Sequence, residues 1–365
     1  MSAANLDERN LSLAESNGLV HEDVMDKIYN ISPEDRPFSD AIGRREDSNH
    51  YSEWVAETLE AANPDNAVID GADAGADESV IGNRFGNYHQ LASKVVKVSD
   101  RGRNSDTIGS GDELPRQLMM RQKALRRDVE ATLTSNNFAD AGAVTGTDAT
   151  GASTAAGLGA WILTNNVGPG DFVASDLSGG TTPGSGGYPN GTNAVAGTKA
   201  AGTEANVREA MKLAYMEGGN PTMAMSRPEC IEGFSSYLFT SSARVATMQT
   251  NVAQGNRTTA ASGNGNSGGG VVAQGSVNIF VTDFGTLELV PNRFQPEIAA
   301  GVSDLYLIDP DYWSTGFLQG YETRPLARTG TSENRQMTVD FTLCAMSEKS
   351  SAAVRTIDTA IPWTA

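Results

Sequence analysis

The sequence predicts an α+β fold built on one long helix, with two extended segments that cannot bury themselves. Three observations carry this. Residues 112–136 hold Leu114, Leu118, Leu125, Val129 and Leu133 at spacings of 4, 7, 4 and 4, which align as one stripe of a 3.6-residue helix. Residues 28–38 carry apolar anchors but two prolines, so they read as an extended arm. Residues 46–83 hold ten acids and no Lys or Arg, and strand-like flanks make them a protruding two-stranded ribbon.

The limits come from composition. The chain has 365 residues, a formal net charge of −18 and a sequence pI of about 4.6. That balance argues against a sequence-independent nucleic-acid binder, which needs a basic footprint, and suits solubility at high local concentration. Cys230 and Cys344 are too far apart in sequence to form a disulfide framework or a zinc site, so a reducing compartment is expected. No run of eighteen apolar residues suggests a membrane span, and residues 1–10 lack a signal pattern.

In chain order, residues 1–27 are polar and acidic, with a short helix expected over 22–29. The arm follows, with Ile31 and Phe38 as anchors that must dock on something else. Tyr51, Trp54 and Val55 fall in the outgoing ribbon strand, and 88–98 in the returning one. A ribbon of this size is unstable alone, so a partner surface is implied, with Glu53, Trp54, Glu57 and Glu60 as contact candidates. Asp70, Asp73, Asp77 and Glu78 miss the EF-hand spacing and read as a solvated acidic loop.

Asp112 can cap the long helix, and Pro115 is tolerated in its first turn. At 1.5 Å per residue it would run roughly 36 Å. Its other side is basic, with Arg116, Arg121, Lys123, Arg126 and Arg127 and no acid among 116–127. Residues 139–205 then hold fifteen glycines and one basic residue, Lys199, and read as loops around the apolar anchor 158–162. A second helix opens at Thr203 or Glu204, presents Val207, Ala210, Met211, Ala214 and Tyr215, and stops at Gly218-Gly219. A buried strand is expected over 222–225, a helix over 228–239, and a hairpin over 280–290 turning near 283–285. A short buried strand over 305–308 closes at Asp309-Pro310. The clearest strand is 336–346, where Met337, Val339, Phe341, Leu343 and Ala345 alternate with polar neighbours.

Catalytic signatures are missing. Residues 263–268 match G-x-G-x-x-G in letters but precede a strand, the wrong context for a dinucleotide turn, and are expected to be a mobile loop. His21, His50 and His89 stand in arm and ribbon without metal-ligand spacing and read as exposed or contact histidines. No nucleophile elbow, P-loop, H-E-x-x-H or C-x-x-C occurs. The carboxylates mostly fall in loops, where no apolar pocket would shift their pKa. No cofactor, metal or enzyme activity is expected.

Several stretches resemble the major capsid (major head) proteins of tailed bacteriophages. They are 28–38, Glu53-Trp54, 61–63, 66–72, Asn87-Tyr88 ahead of 94–98, 127–131, 158–162, 341–344 and Glu348-Lys349. The resemblance implies the Hong-Kong-ninety-seven-type capsid fold. Its parts would be an N-terminal arm (1–44), an extended loop (45–95) and a peripheral domain (96–202) with spine helix 112–136 and a Gly-rich insertion over 164–202. An axial domain (203–325) and a C-terminal return to the peripheral domain (326–365) would complete it. It also implies pentamers and hexamers closing an icosahedral shell around double-stranded DNA held by enclosure. The partners would be a separate scaffold protein, a portal and a decoration protein, with assembly in the host cytoplasm and residence in the virion. An encapsulin-like nanocompartment shares the implied fold, and a surface adhesin would explain the glycine-rich loops; both stay open on sequence alone. The few residues before the ribbon lack scaffold-like heptads, so no large N-terminal cleavage is expected. No lysine lies in 46–93 and no cysteine in arm or ribbon, so neighbouring subunits are expected to be held without covalent links.

Overall fold

The structure is a computed structural model. It describes residues 25–71, 73, 75, 82–105, 107–109, 111–142, 151–168, 177, 185–190, 198–240 and 278–364. The expected loop 263–268, nearly all of 1–27 and most of the acidic stretch 70–79 lie outside them. Of the helix expected over 22–29, the described residues 25–29 are not helical.

The long helix forms as its stripe requires, over Glu113–Leu133 (α3), slightly shorter at both ends than 112–136. The Asp112 side chain accepts from Leu114 N and caps it. Before it come α1 (Pro37–Ala41), β1 (Gly43–Glu46), β2 (Tyr51–Ala56), β3 (Asn83–Tyr88), β4 (Gln90–Ser99) and α2 (Asp100–Asn104). After it come α4 (Leu158–Trp161), β5 (Asn166–Val167), β6 (Ser185–Gly187), α5 (Glu204–Met216), β7 (Met223–Ser226) and α6 (Pro228–Thr240). The chain ends with β8 (Ile279–Thr282), β9 (Gly285–Pro291), β10 (Val302–Ile308), β11 (Trp313–Pro325), β12 (Ser332–Ala345) and β13 (Ala352–Asp358).

Among the described residues three sheets result, ordered β1-β11-β12-β4, β5-β13-β10-β7-β9-β8 and β2-β3-β6. The six-stranded sheet lies between two apolar cores, and side-chain alternation shows why. Met223, Met225, Tyr306, Ile308 and Ala353 join the core beneath α3, with Leu125, Val129, Leu133, Phe341 and Trp313. Their in-between neighbours Ala224, Leu305, Leu307, Ala352 and Val354 join the core of α5 and α6. Successive strand residues point to opposite faces, so strands covered on both faces lose the apolar–polar alternation, and every residue of β10 and β13 is buried, Asp304 and Arg355 included.

Strand pairing corrects the expected layout at three places. The segment 88–98 is not the ribbon's returning strand: that is β3, which pairs with β2 and ends at Tyr88, whereas β4 leaves the ribbon and pairs along β12. β11, assigned to 203–325, lies between β1 and β12 in the four-stranded sheet, and β13, assigned to the C-terminal return, sits in the six-stranded sheet. The glycine-rich insertion is not one free loop. Its β6 pairs with β3, its β5 with β13, and Tyr188 packs edge-on against Tyr88 at 5.2 Å.

One charged pair locks the two cores together. Arg355 on β13 and Asp304 on β10 meet at 2.7 Å, both side chains fully buried. Arg355 also donates to Asn166 Oδ1 at 2.7 Å and to the Gly159 and Ile162 carbonyls at 2.8 Å, so it ties α4 and β5 to the sheet. Asp304 stands at an irregularity in the β10–β13 register. Its second oxygen accepts from Thr356 N at 2.9 Å, holding that β-branched residue at φ 58°, a conformation it adopts only where the surroundings dictate it. Burial pushes the Asp304 carboxyl above its usual range, and the Arg355 guanidinium opposes that shift.

Arg355→Met strands Asp304 in the core, and removing one partner of a buried pair costs about 3–5 kcal/mol. The expected result in denaturant melts of the unassembled chain is a large fall in midpoint, mostly recovered when Asp304→Leu is added. A single substitution costing under about 1 kcal/mol would show that the pair is not the lock.

Candidate subunit-contact surface

The arm is fastened to the body by a carboxylate inside the apolar stripe of α3. Glu130 is fully buried. Its Oε1 accepts from Phe38 N at 2.9 Å and Asn292 Nδ2 at 2.8 Å, and its Oε2 from Ser39 N at 2.9 Å. It therefore pairs the free N–H groups that open α1 and holds them against the turn after β9. Burial pushes its carboxyl above the usual range, while these donors pull it back.

This fastening corrects two expected contact residues. Phe38 is fully buried within its own subunit, its ring edge-on to Trp313 at 6.4 Å. Trp54 is 8% exposed and lies against Trp161 at 5.3 Å. Both anchors serve the chain's own core, because α1 and β2 start where the body can still cover them. Ile31, 99% exposed, has no such cover.

The basic face of α3 is partly occupied by the chain's own arm. Lys123 pairs with Glu34 at 2.6 Å, and Arg116 pairs with Glu113 one turn back. Arg127 stacks over Phe294, its guanidinium carbon 4.8 Å from the ring centre, and Arg126 over Tyr321 at 5.4 Å. Arg116, Arg121, Lys123 and Arg127 line a groove with arm residues 30 and 32–34. Arg121, Arg126 and Arg127 meet no carboxylate among the described residues. Across the molecule, Glu53 pairs with Arg84 at 3.6 Å, while Glu57 and Glu60 are exposed and make no ion pair among the described residues. Leu59, Val68 and Ile69, between 82% and 98% exposed, stand in the same segment.

His89, expected to be exposed or a contact, is buried between the ribbon and the body. Its Nε2 lies 3.2 Å from Asp47 and its Nδ1 3.5 Å from Asp340. Burial lowers its pKa against the pull of both carboxylates. Cys230 and Cys344 are free and buried, as expected of inert thiols, and burial pushes the Cys230 thiol up to about 12. Sequence reading missed the buried charges Glu130, Asp304 and Arg355. The available signal was a charge inside an apolar run: Glu130 stands three residues before Leu133 in the stripe, and Asp304 directly precedes Leu-Tyr-Leu-Ile.

Glu130→Ala leaves the buried Phe38 N–H unpaired, at about 1–3 kcal/mol, and takes the carboxylate from the part-buried Ser39 N–H and from Asn292 Nδ2, which keeps only the Met225 sulfur. Chymotrypsin is expected to cut after Phe38, which is buried while the arm is docked, much faster in this variant, while the remaining body resists as wild type does. Equal rates would mean that the arm is held by other contacts.

Comparison with known proteins bears on the whole surface. A family model described as SU10 major capsid protein matches residues 7–358. The major capsid protein of Escherichia phage Phieco32 is 31% identical over 105 residues, 29% of this chain, and the match spans 30% of that relative's length. A chain from Gordonia phage Cozz is similar at TM-score 0.55 and 10% identity, with 100% of this chain and 98% of that one covered. A chain from Mycobacterium phage Bobi gives 0.54 at 9% identity, with 95% and 99% covered. A chain of a native GTA particle capsid gives 0.52 at 11%, with 96% and 99% covered. At such identities the likeness shows the fold alone, and that fold is the Hong-Kong-ninety-seven-type capsid fold. With its model matched over nearly the full length, the chain belongs to the SU10 major capsid protein family.

Proposed function

We propose that this chain is the repeating shell subunit of a tailed-phage head, forming pentamers and hexamers that close an icosahedral container around packaged double-stranded DNA. One observation carries the reading. Arm and ribbon leave Ile31, Leu59, Val68 and Ile69 almost wholly exposed, while the body behind them is densely closed. Scattered surface apolar groups are ordinary, but the four most exposed among the described residues all stand in two segments without secondary structure. Neighbouring copies supply the missing cover.

Charge gives the contact a direction. The acidic ribbon faces a neighbour's basic helix side with Glu57 and Glu60 meeting Arg121, Arg126 and Arg127, since Glu53, Arg116 and Lys123 already have partners. Such exposed pairs are individually weak; repeated in every subunit, they select orientation. DNA is held by enclosure, as a net charge of −18 gives no general grip on phosphates. In this reading the arm is 1–44, the ribbon 45–88, the peripheral body 89–202 with β11 and β12, and the axial body 203–310 with β13. A separate scaffold, a portal and a decoration protein complete the head, which assembles in the host cytoplasm and persists in the virion. The subunit performs no catalysis, and its neighbours are joined without covalent links.

Size-exclusion chromatography with light scattering tests the reading, with and without head partners co-expressed. The expected species are capsomers or shells whose masses are multiples of 38.4 kDa. A lasting monomer with every head partner present would refute it.

A further inference from the structure

A cavity of about 240 Å3 lies between α1, α3 and β11. Three guanidiniums line it from three directions in the chain: Arg36 ahead of α1, Arg44 on β1 and Arg126 on α3. Thr315, Phe317 and Tyr321 of β11 complete the wall, and no carboxylate lines it. β1 stops pairing at Phe317, and the β11–β12 ladder shifts register twice between Phe317 and Glu322. The sheet edge therefore opens beside the cavity, as bulges next to functional sites do.

The cations are not neutralised from within. Asp40 reaches Arg36 at 3.3 Å and Arg44 at 3.4 Å, one half-exposed carboxylate for two guanidiniums. Arg126 has none among the described residues, because Glu130, one turn on, is taken up by Phe38, Ser39 and Asn292. The Nε of Arg126 and the Oγ1 of Thr315 are buried without a hydrogen-bond partner, and Thr315 is 2% exposed. Arg126 stacks over the Tyr321 ring, its guanidinium carbon 5.4 Å from the ring centre, and all three guanidiniums oppose the upward push of burial on the Tyr321 pKa, with Asp40 acting the other way. Water could fill an orphaned hydroxyl, but it does not relieve three like charges around one small space. Guanidinium forks match the paired oxygens of carboxylate and phosphate.

We propose that this cavity is a built site for one small oxyanion, a phosphate or carboxylate group. Free phosphate and an acidic side chain presented by a second copy of the chain share that chemistry. The second source rests on the shell-subunit reading; the site itself does not.

Titration calorimetry of the unassembled full chain with inorganic phosphate, at constant ionic strength, tests the site. Saturable binding is expected, weakened roughly tenfold or more in Arg126→Gln and in Arg44→Gln, whose side chain lies on an edge strand and whose loss threatens folding least. Arg101→Gln, exposed on α2 and outside this cavity, should bind as wild type does. No saturable binding, or binding unchanged in both variants, would overturn the proposal. A second titration on assembled particles separates the sources. Phosphate excluded from particles but bound by free chains assigns the occupant to a neighbour's carboxylate; equal binding in both assigns it to phosphate itself. A chain that never assembles would count against the shell reading, while the first titration still decides the site.

Discussion

The three hydrogen bonds accepted by Glu130 are the constraint on which the subunit depends. A carboxylate buried in the last turn of a long helix, between Val129 and Leu133, is costly unless its lone pairs are used. Here it is used by groups from two distant parts of the chain, the start of α1 and Asn292 after β9. Arm, long helix and six-stranded sheet are thereby set in one arrangement, and Phe38 is delivered into the core against Trp313. The Arg355–Asp304 pair does the same farther along, tying β10, β13 and the α4 turn. At that turn Gly159 has no room for a side chain, since a Cβ would run into Asn136 and the Tyr306 hydroxyl. Apolar contacts supply most of the burial energy, but they are non-directional; these polar hubs decide which surfaces meet.

A body fixed so firmly makes its unfinished parts informative. The change from fully buried Phe38 to exposed Ile31 happens within seven residues of arm. Likewise Trp54 closes on Trp161, and the chain beyond Ala56 runs out with Leu59 exposed. Arm and ribbon are each rooted by an aromatic in the subunit's own core and then leave it. That design fixes the direction in which an extended segment departs while leaving its far end to be covered by a neighbour, which is what a closed shell of repeated subunits requires.

Periodic features were legible in the sequence, as were the short apolar runs over 222–225 and 305–308 that became β7 and β10; a doubly buried strand interrupted by charge was not. The stripe from Leu114 to Leu133, the Thr203 cap with the Gly218 stop, and the alternation from Met337 to Ala345 all became the elements their spacing demands. β13 was missed because a strand covered on both faces has no alternation to read, and Arg355 within it looks like a surface residue until Asp304 is found opposite. The ribbon was drawn too long because no glycine or proline separates Tyr88 from Gln90; His89, buried at the junction, makes the break. Phe38 and Trp54 were read as outward anchors because nothing local tells an anchor to a neighbour from an anchor to one's own core. Contacts between copies are carried by exposed residues whose pattern specifies no partner, which is why the contact surface was only partly legible.

The central claim is that this chain is completed by copies of itself. A cryo-electron microscopy reconstruction of the assembled particle tests it most directly, by the surroundings of Leu59, Val68 and Ile69. The account predicts all three covered by a neighbouring subunit, with the ribbon's carboxylates on that neighbour's arginines. A particle in which the three side chains stay in solvent, or fold back onto their own subunit, would contradict it.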